Sequence, residues 1–193
     1  MFFRFKRMRP MDPLQVAMTG VRMGERFLQI GCDDKTLLAG LGAKVGLSGS
    51  AALAAADEAT AERGRAAAAK AGVLLDVRTG PVATWSFDAG AFDMVVVDDT
   101  AGRFAATSED ERRQALAVAW NALRAGGRIE VVERTAGGGF FGGHKASSPE
   151  YERGGGAEAA LKSAGFAPVR VLAEKDGFRF VEGLKAASRV EAR

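Results

Sequence analysis

Arg26-Phe27-Leu28-Gln29-Ile30-Gly31-Cys32-Asp33-Asp34, followed by the helix-like run over residues 35–41, decides how the rest of the chain is read. An apolar strand runs into a glycine, a short turn follows, and a 3.6-residue apolar period begins. This is the opening strand–turn–helix of a nucleotide-binding α/β sheet, in which ligands collect at the carboxyl ends of the strands. Such turns are usually glycine-rich. This one offers Gly31 alone before Cys32-Asp33-Asp34.

Working outward, the same alternation recurs. Residues 12–24 are predicted as a helix with Asp12 as N-cap and Pro13 in its first turn, closed by Gly24. Strands are predicted at 27–30, 44–47, 73–77, 92–97 and 128–133, and helices at 36–41, 50–71 and 109–123. The alanine-rich 50–71 segment is read as one helix ending at Gly72. Ser108-Glu109-Asp110-Glu111 has the form of a capping box, so its acids mark a solvated helix start. After a helix at 157–164, strands at 169–172 and 178–181 flank Asp176-Gly177, a hairpin signal. Five β–α alternations and a terminal hairpin predict an α/β, doubly wound, mostly parallel Rossmann-like seven-stranded sheet with a C-terminal antiparallel hairpin. The expected organisation is a basic, aromatic arm over residues 1–10, one domain over 11–185 and a tail over 186–193.

Composition narrows the class. The 193 residues are 47% hydrophobic and 26% charged, ordinary for a globular domain. The net charge of +3 comes from Arg4, Lys6, Arg7 and Arg9. Without them, 23 basic residues face 24 acidic ones, a balance of −1. The pI near 9.2 is therefore no nucleic-acid signature. Phe2, Phe3 and Phe5 alternate with the four basic residues, which reads either as an arm for a membrane surface or partner or as a terminus tucked onto the domain. The longest uncharged stretch, residues 45–56, falls short of the ~20 residues of a membrane span. With a single cysteine and no secretory signal pattern, a cytoplasmic protein is expected.

Four segments resemble class I S-adenosylmethionine-dependent methyltransferases of the small single-domain kind. Phe27-Leu-Gln-Ile-Gly31 is similar to the family's first motif. Trp85-Ser-Phe-Asp-Ala-Gly-Ala-Phe-Asp-Met-Val-Val-Val97 resembles the approach to its fourth strand, and Ala122-Leu-Arg-Ala-Gly-Gly-Arg-Ile-Glu-Val-Val132 the turn into its fifth. Ala164-Gly-Phe166 matches the approach to its terminal hairpin. The resemblance implies S-adenosylmethionine as cofactor, held by Gln29, Gly31, Cys32, Ser48, Gly49, Gly80, Pro81, Val82 and Asp98. It implies a small-molecule or protein methyl acceptor, which it does not identify.

Departures from the family pattern accompany the likeness. Gln29 stands where the family has an acid, and the glycines after Gly31 are missing. Ser48 is matched to the acid that bonds the ribose hydroxyls, and no acid lies near Gly80-Pro81 for the adenine. A hydroxyl cannot reproduce a bidentate carboxylate acceptor. A non-catalytic relative that kept the fold as a scaffold is the alternative implied. Methyl transfer needs an in-line nucleophile and positioning, so the residues name no catalytic group. Cys32 reads as a thiol activated at a helix start or as a small packed residue. His144 reads as a general base or a loop residue. With one cysteine and one histidine, no metal site is expected. Residues 137–143 have the composition of a phosphate loop without its Lys-Ser/Thr pair; Phe140 and Phe141 make it a candidate flap.

Overall fold

The computed structural model describes residues 12–135 and 148–187. The N-terminal arm, the glycine-rich segment with Phe140, Phe141 and His144, and the end of the C-terminal tail lie outside the described residues. Among the described residues, seven strands form one sheet in the order β3-β2-β1-β4-β5-β7-β6. The strands are β1 (Arg26–Ile30), β2 (Ser50–Ala55), β3 (Leu75–Thr79), β4 (Phe92–Asp99), β5 (Leu123–Arg134), β6 (Val169–Lys175) and β7 (Phe178–Leu184). The first five are parallel; β7 runs antiparallel to both β5 and β6. The predicted architecture holds. Strand order reverses between β1 and β4, the position at which open α/β sheets as a class bind their ligands.

Helices α1 (Leu14–Met18), α2 (Lys35–Val45) and α3 (Glu58–Ala71) cover one face. Helices α4 (Arg103–Ala106), α5 (Glu109–Ala122), α6 (Pro149–Arg153) and α7 (Gly156–Ser163) belong to the other. Strand β1 and the turn after it feed both cores. Leu28 and Ile30 enter the α5–α7 side, while Phe27 and Cys32 enter the α1–α3 side. Val95-Val96-Val97 is fully buried, as a strand covered on both faces requires.

The sequence reading fails around the second strand. Residues 44–47 are not a strand but the end of α2 and a 3₁₀ turn. The strand is Ser50–Ala55, in register with β1 from Arg26↔Ser50 to Ile30↔Ala54. Alanine favours helix in isolation, but Ala52 and Ala54 bury on one face while Ala51, Leu53 and Ala55 bury on the other. Pairing with two neighbours overrides the local preference. Small side chains let α3 approach: a Cβ on Gly64 would stand 2.2 Å from Leu53 Cδ2. Helix α3 starts where Asp57 accepts the Thr60 amide at 2.7 Å.

Smaller corrections follow the same logic. Asp12 does not cap α1; its carboxylate pairs with Lys44 at 3.3 Å, and the helix ends at Met18 rather than near Gly24. Helix α6 was not foreseen. Strand β5 starts earlier than expected, its Gly126-Gly127 absorbed in an irregular pairing between Phe92 and Met94 of β4. The Ser108–Glu111 capping box forms. Asp176 and Gly177 both adopt positive φ, 52° and 78°, the two-residue turn their sequence announced.

Candidate functional site

The carboxyl ends of β1, β2, β3 and β4 converge on the Gly31 turn. Gly31 has φ 78°, and a Cβ there would meet the Asp98 carbonyl oxygen at 3.2 Å, so glycine is needed for both conformation and close approach. The Gly31 amide donates to Ala54 O at 3.0 Å, and the Gly80 amide to Ala55 O at 2.9 Å. Gly80-Pro81 and the 3₁₀ turn Val82–Thr84 thus stand beside the end of β2, steadied by Trp85 Nε1 donating to Gly80 O at 2.9 Å.

Asp98 ties the turn to β4. Its Oδ2 accepts the Asp33 and Asp34 amides, both at 2.8 Å; its Oδ1 accepts the Thr100 hydroxyl at 2.7 Å. Burial pushes its pKa up to about 6 despite these donors. In return, Asp33 Oδ1 meets Arg103 Nε at 2.9 Å, and the Ala101 amide donates to its carboxylate. The Asp33 side chain is 5% exposed. Its pKa is raised, chiefly by burial and against the pull of Arg103. Asp99 caps α4, accepting the Phe104 amide at 2.8 Å. Asp34 caps α2 and receives Gln15 Nε2 at 2.6 Å.

Gln29 is buried and folds back so that Nε2 donates to Gly31 O at 2.9 Å. Its Oε1, like Asp33 Oδ2, is buried without a hydrogen-bond partner. Cys32 turns its side chain into the α2–α3 core with no exposure. Burial, with the Asp98 charge beside it, pushes its thiol up to about 12. That settles the two readings of Cys32 in favour of packing. Its carbonyl accepts Arg63 Nε at 2.9 Å.

The structure therefore brings Gln29, Gly31, Cys32, Gly80, Pro81, Val82 and Asp98 to one edge. Ser48 and Gly49 lie at the other end of the sheet, because β2 begins after them. A Cβ on Gly49 would stand 2.4 Å from Glu25 O, at the start of β1. The end of β2, where the family's ribose-binding acid belongs, is Ala55; the nearest acid downstream is Asp57, which caps α3. Sequence reasoning missed the roles of Asp33, Asp57, Arg63 and Arg103. Asp57-Glu58-Ala59-Thr60 is a helix-start signal hidden by the misplaced helix. Nothing in the sequence marks Arg63 or Arg103 as reaching the turn.

Two clefts lie away from the turn. One of about 230 Å³ opens between α5 and α6–α7 beside Arg112, Leu116 and Tyr151, and one of about 300 Å³ lies against Trp85, Phe87 and Val118. Tyr151 of the first cleft donates its hydroxyl to Glu133 Oε1 at 3.5 Å, and Glu133, at the end of β5, also receives Arg179 Nη1 at 3.2 Å. Among the described residues, no group of three His, Cys, Asp or Glu side chains could hold a metal ion, and no helix is long and apolar enough to cross a membrane.

No family model matches the chain, and no curated protein matches it in sequence. Solved structures do match in fold. A SAM-dependent methyltransferase from Aquifex aeolicus superposes with TM-score 0.70 at 16% identity over 88% of this chain and 87% of that one. A methyltransferase from Methanosarcina mazei does so at TM-score 0.58 and 16% identity, over 91% and 99%. PigF, solved with SAH, matches at TM-score 0.55 and 20% identity over 83% of this chain but 50% of its own. The chain has the class I S-adenosylmethionine-dependent methyltransferase fold, as its sequence motifs implied. At these identities the likeness concerns the fold.

The residues present fit part of the cofactor. Buried acceptors without donors at Gln29 Oε1 and Asp33 Oδ2 suit an ammonium group, as on its methionine end. Val82, half-buried beside Gly80-Pro81, offers apolar surface for a base, whereas Trp85 is packed in the core behind it. At the end of β2, Ala55 has no acceptor side chain to offer a ribose.

Proposed function

We propose that this chain binds S-adenosylmethionine at the β1–β4 crevice and transfers its methyl group to a small-molecule or protein acceptor. The observation that carries the reading is the pair of buried, donor-less acceptors on β1 and its turn, Gln29 Oε1 and Asp33 Oδ2, beside a left-handed glycine in the family's seat. Gly31 lets the ligand approach the backbone, Asp98 holds the turn in shape, and Gly80-Pro81-Val82 lines the nucleoside end. When bound, the cofactor supplies an electrophilic methyl on a sulfonium. The chain's part is orientation and exclusion of water, which can provide most of the acceleration for such a transfer. The lost ribose acid weakens the affinity by ~1.5–3 kcal/mol, about ten- to 150-fold. S-adenosylhomocysteine should raise the melting temperature in a saturable way. An unchanged melt at millimolar ligand counts against the reading.

A second reading is favoured by one observation: the Asp33 and Asp34 amides are already taken by Asp98. In it, the chain is a non-catalytic scaffold of the same fold that recruits a partner or an anionic surface through Phe2, Phe3, Phe5, Arg4, Lys6, Arg7 and Arg9. It requires no heat on titration with S-adenosylhomocysteine, and a complex lost when residues 1–10 are deleted.

A further inference from the structure

The Asp33–Arg103 pair is lopsided. Asp33 is 5% exposed in its side chain and Arg103 58%. The carboxylate is fixed from below, by the Ala101 amide and by its own backbone bond to Asp98, whereas the guanidinium reaches in from solvent off a four-residue helix. Asp33 Oδ2 has no donor, nor has Gln29 Oε1 two residues before Gly31. A buried acceptor left unmatched is costly, so this edge is short of donors even with Arg103 in place. Arg63, the other guanidinium here, does not serve them: its Nε donates to Cys32 O and its Nη2 to Thr60 Oγ1 at 2.8 Å.

We propose that Arg103 is an internal competitor for the ligand's ammonium group: it satisfies Asp33 in the free protein and swings out when the amino-acid end of the cofactor takes its place. Asp33, standing where the family carries a small residue, is then the recognition group for that ammonium. This rests on the cofactor reading above. The exchange leaves neither charge stranded, because the half-exposed guanidinium returns to water and the buried carboxylate keeps a cationic partner. The pair given up is the strength the ligand must overcome, and tenfold in affinity corresponds to about 1.4 kcal/mol. The exchange is selective, because only a ligand with a cationic amino-acid end displaces the guanidinium.

Calorimetric titration separates the possibilities, with S-adenosylhomocysteine as one probe and 5′-methylthioadenosine, which lacks the amino-acid end, as the other. The Arg103→Gln variant should bind S-adenosylhomocysteine about tenfold more tightly than wild type, with 5′-methylthioadenosine unchanged. Arg103→Lys, which keeps a cation, should stay near wild type. Asp33→Asn should weaken S-adenosylhomocysteine about tenfold in either background. A circular-dichroism melt of each variant confirms folding. Equal binding by wild type and Arg103→Gln, or an equal gain for both ligands, overturns the competition while leaving the cofactor reading intact. Failure of folded wild type and Arg103→Gln alike to bind S-adenosylhomocysteine overturns both.

Discussion

Asp98 and Asp33 hold each other's loops across the switch point of the sheet. Asp98, at the end of β4, takes the Asp33 and Asp34 amides at 2.8 Å each. Asp33, in the turn after β1, takes the Ala101 amide and Arg103 from the segment that follows β4. Each carboxylate satisfies donors from the other strand's loop. The reciprocal bonding gives a glycine-poor turn the rigidity that a run of glycines would not.

Replacing Asp98 therefore tests the clasp. Asp98→Asn removes the charge and leaves one oxygen to serve two amides and Thr100. A loss of about 1–3 kcal/mol is expected, or several degrees in melting temperature at this chain length. Urea unfolding followed by circular dichroism measures it. Stability equal to wild type would show that the turn holds itself.

Gly64 tests the corrected second strand. With a Cβ 2.2 Å from Leu53 Cδ2, Gly64→Val should overpack α3 against β2 and cost about 1–3 kcal/mol. Were residues 50–55 helical, as their alanines suggest, Gly64 would have no strand residue to strike. A neutral result in thermal melting would contradict the β2 register.

Stability should depend on pH through Glu130. It is fully buried, its two oxygens have no partner, and it sits directly opposite Glu182 in the β5–β7 register. Burial first, then Glu182, pushes its pKa up from 4.5 to about 8. An acid with a raised folded-state value takes up a proton on folding, so it weakens the fold as pH rises from about 4.5 to about 8. Asp98, raised to about 6, acts in the same direction over the lower part of that window. Glu130→Gln should flatten the dependence and stabilise the fold at pH 8 by on the order of 1 kcal/mol, read as a higher melting temperature. A steeper dependence in the variant would reverse the assignment.

Cys32 should be silent toward maleimide in the folded protein at pH 8. Its thiol is buried and pushed up to about 12, and thiolate is the reacting form. Labelling should appear only as denaturant unfolds the chain. Rapid labelling of native protein would place the side chain outside the α2–α3 core.

Most of the sheet was legible in the chain because β-branched runs such as Val95-Val96-Val97, the Ser108–Glu111 box and Asp176-Gly177 each carry a local physical signal. Strand β2 was not, because Ser50–Ala55 is built of alanines whose burial between β1 and β3 is a tertiary fact. That error propagated: with β2 misplaced, Ser48 was matched to the ribose position, and Asp57 and Arg63 lost their context. The Gly31 turn was located correctly. What its acids do there depends on contacts 64 and 65 residues away in the chain, from Asp34 and Asp33 to Asp98, and no local pattern encodes those.

Amide chemical shifts test the cofactor seat most directly. In a ¹H–¹⁵N spectrum of this 20.2 kDa protein, adding S-adenosylhomocysteine should move the amides of Gly31, Asp33 and Asp34, of Gly80, and of Ala101 to Arg103, in a saturable way. The amides around Ser48 and Gly49 should stay still. Unmoved Gly31 and Asp33 amides at millimolar ligand, or shifts confined to the α5–α7 cleft, would contradict binding at the β1–β4 crevice.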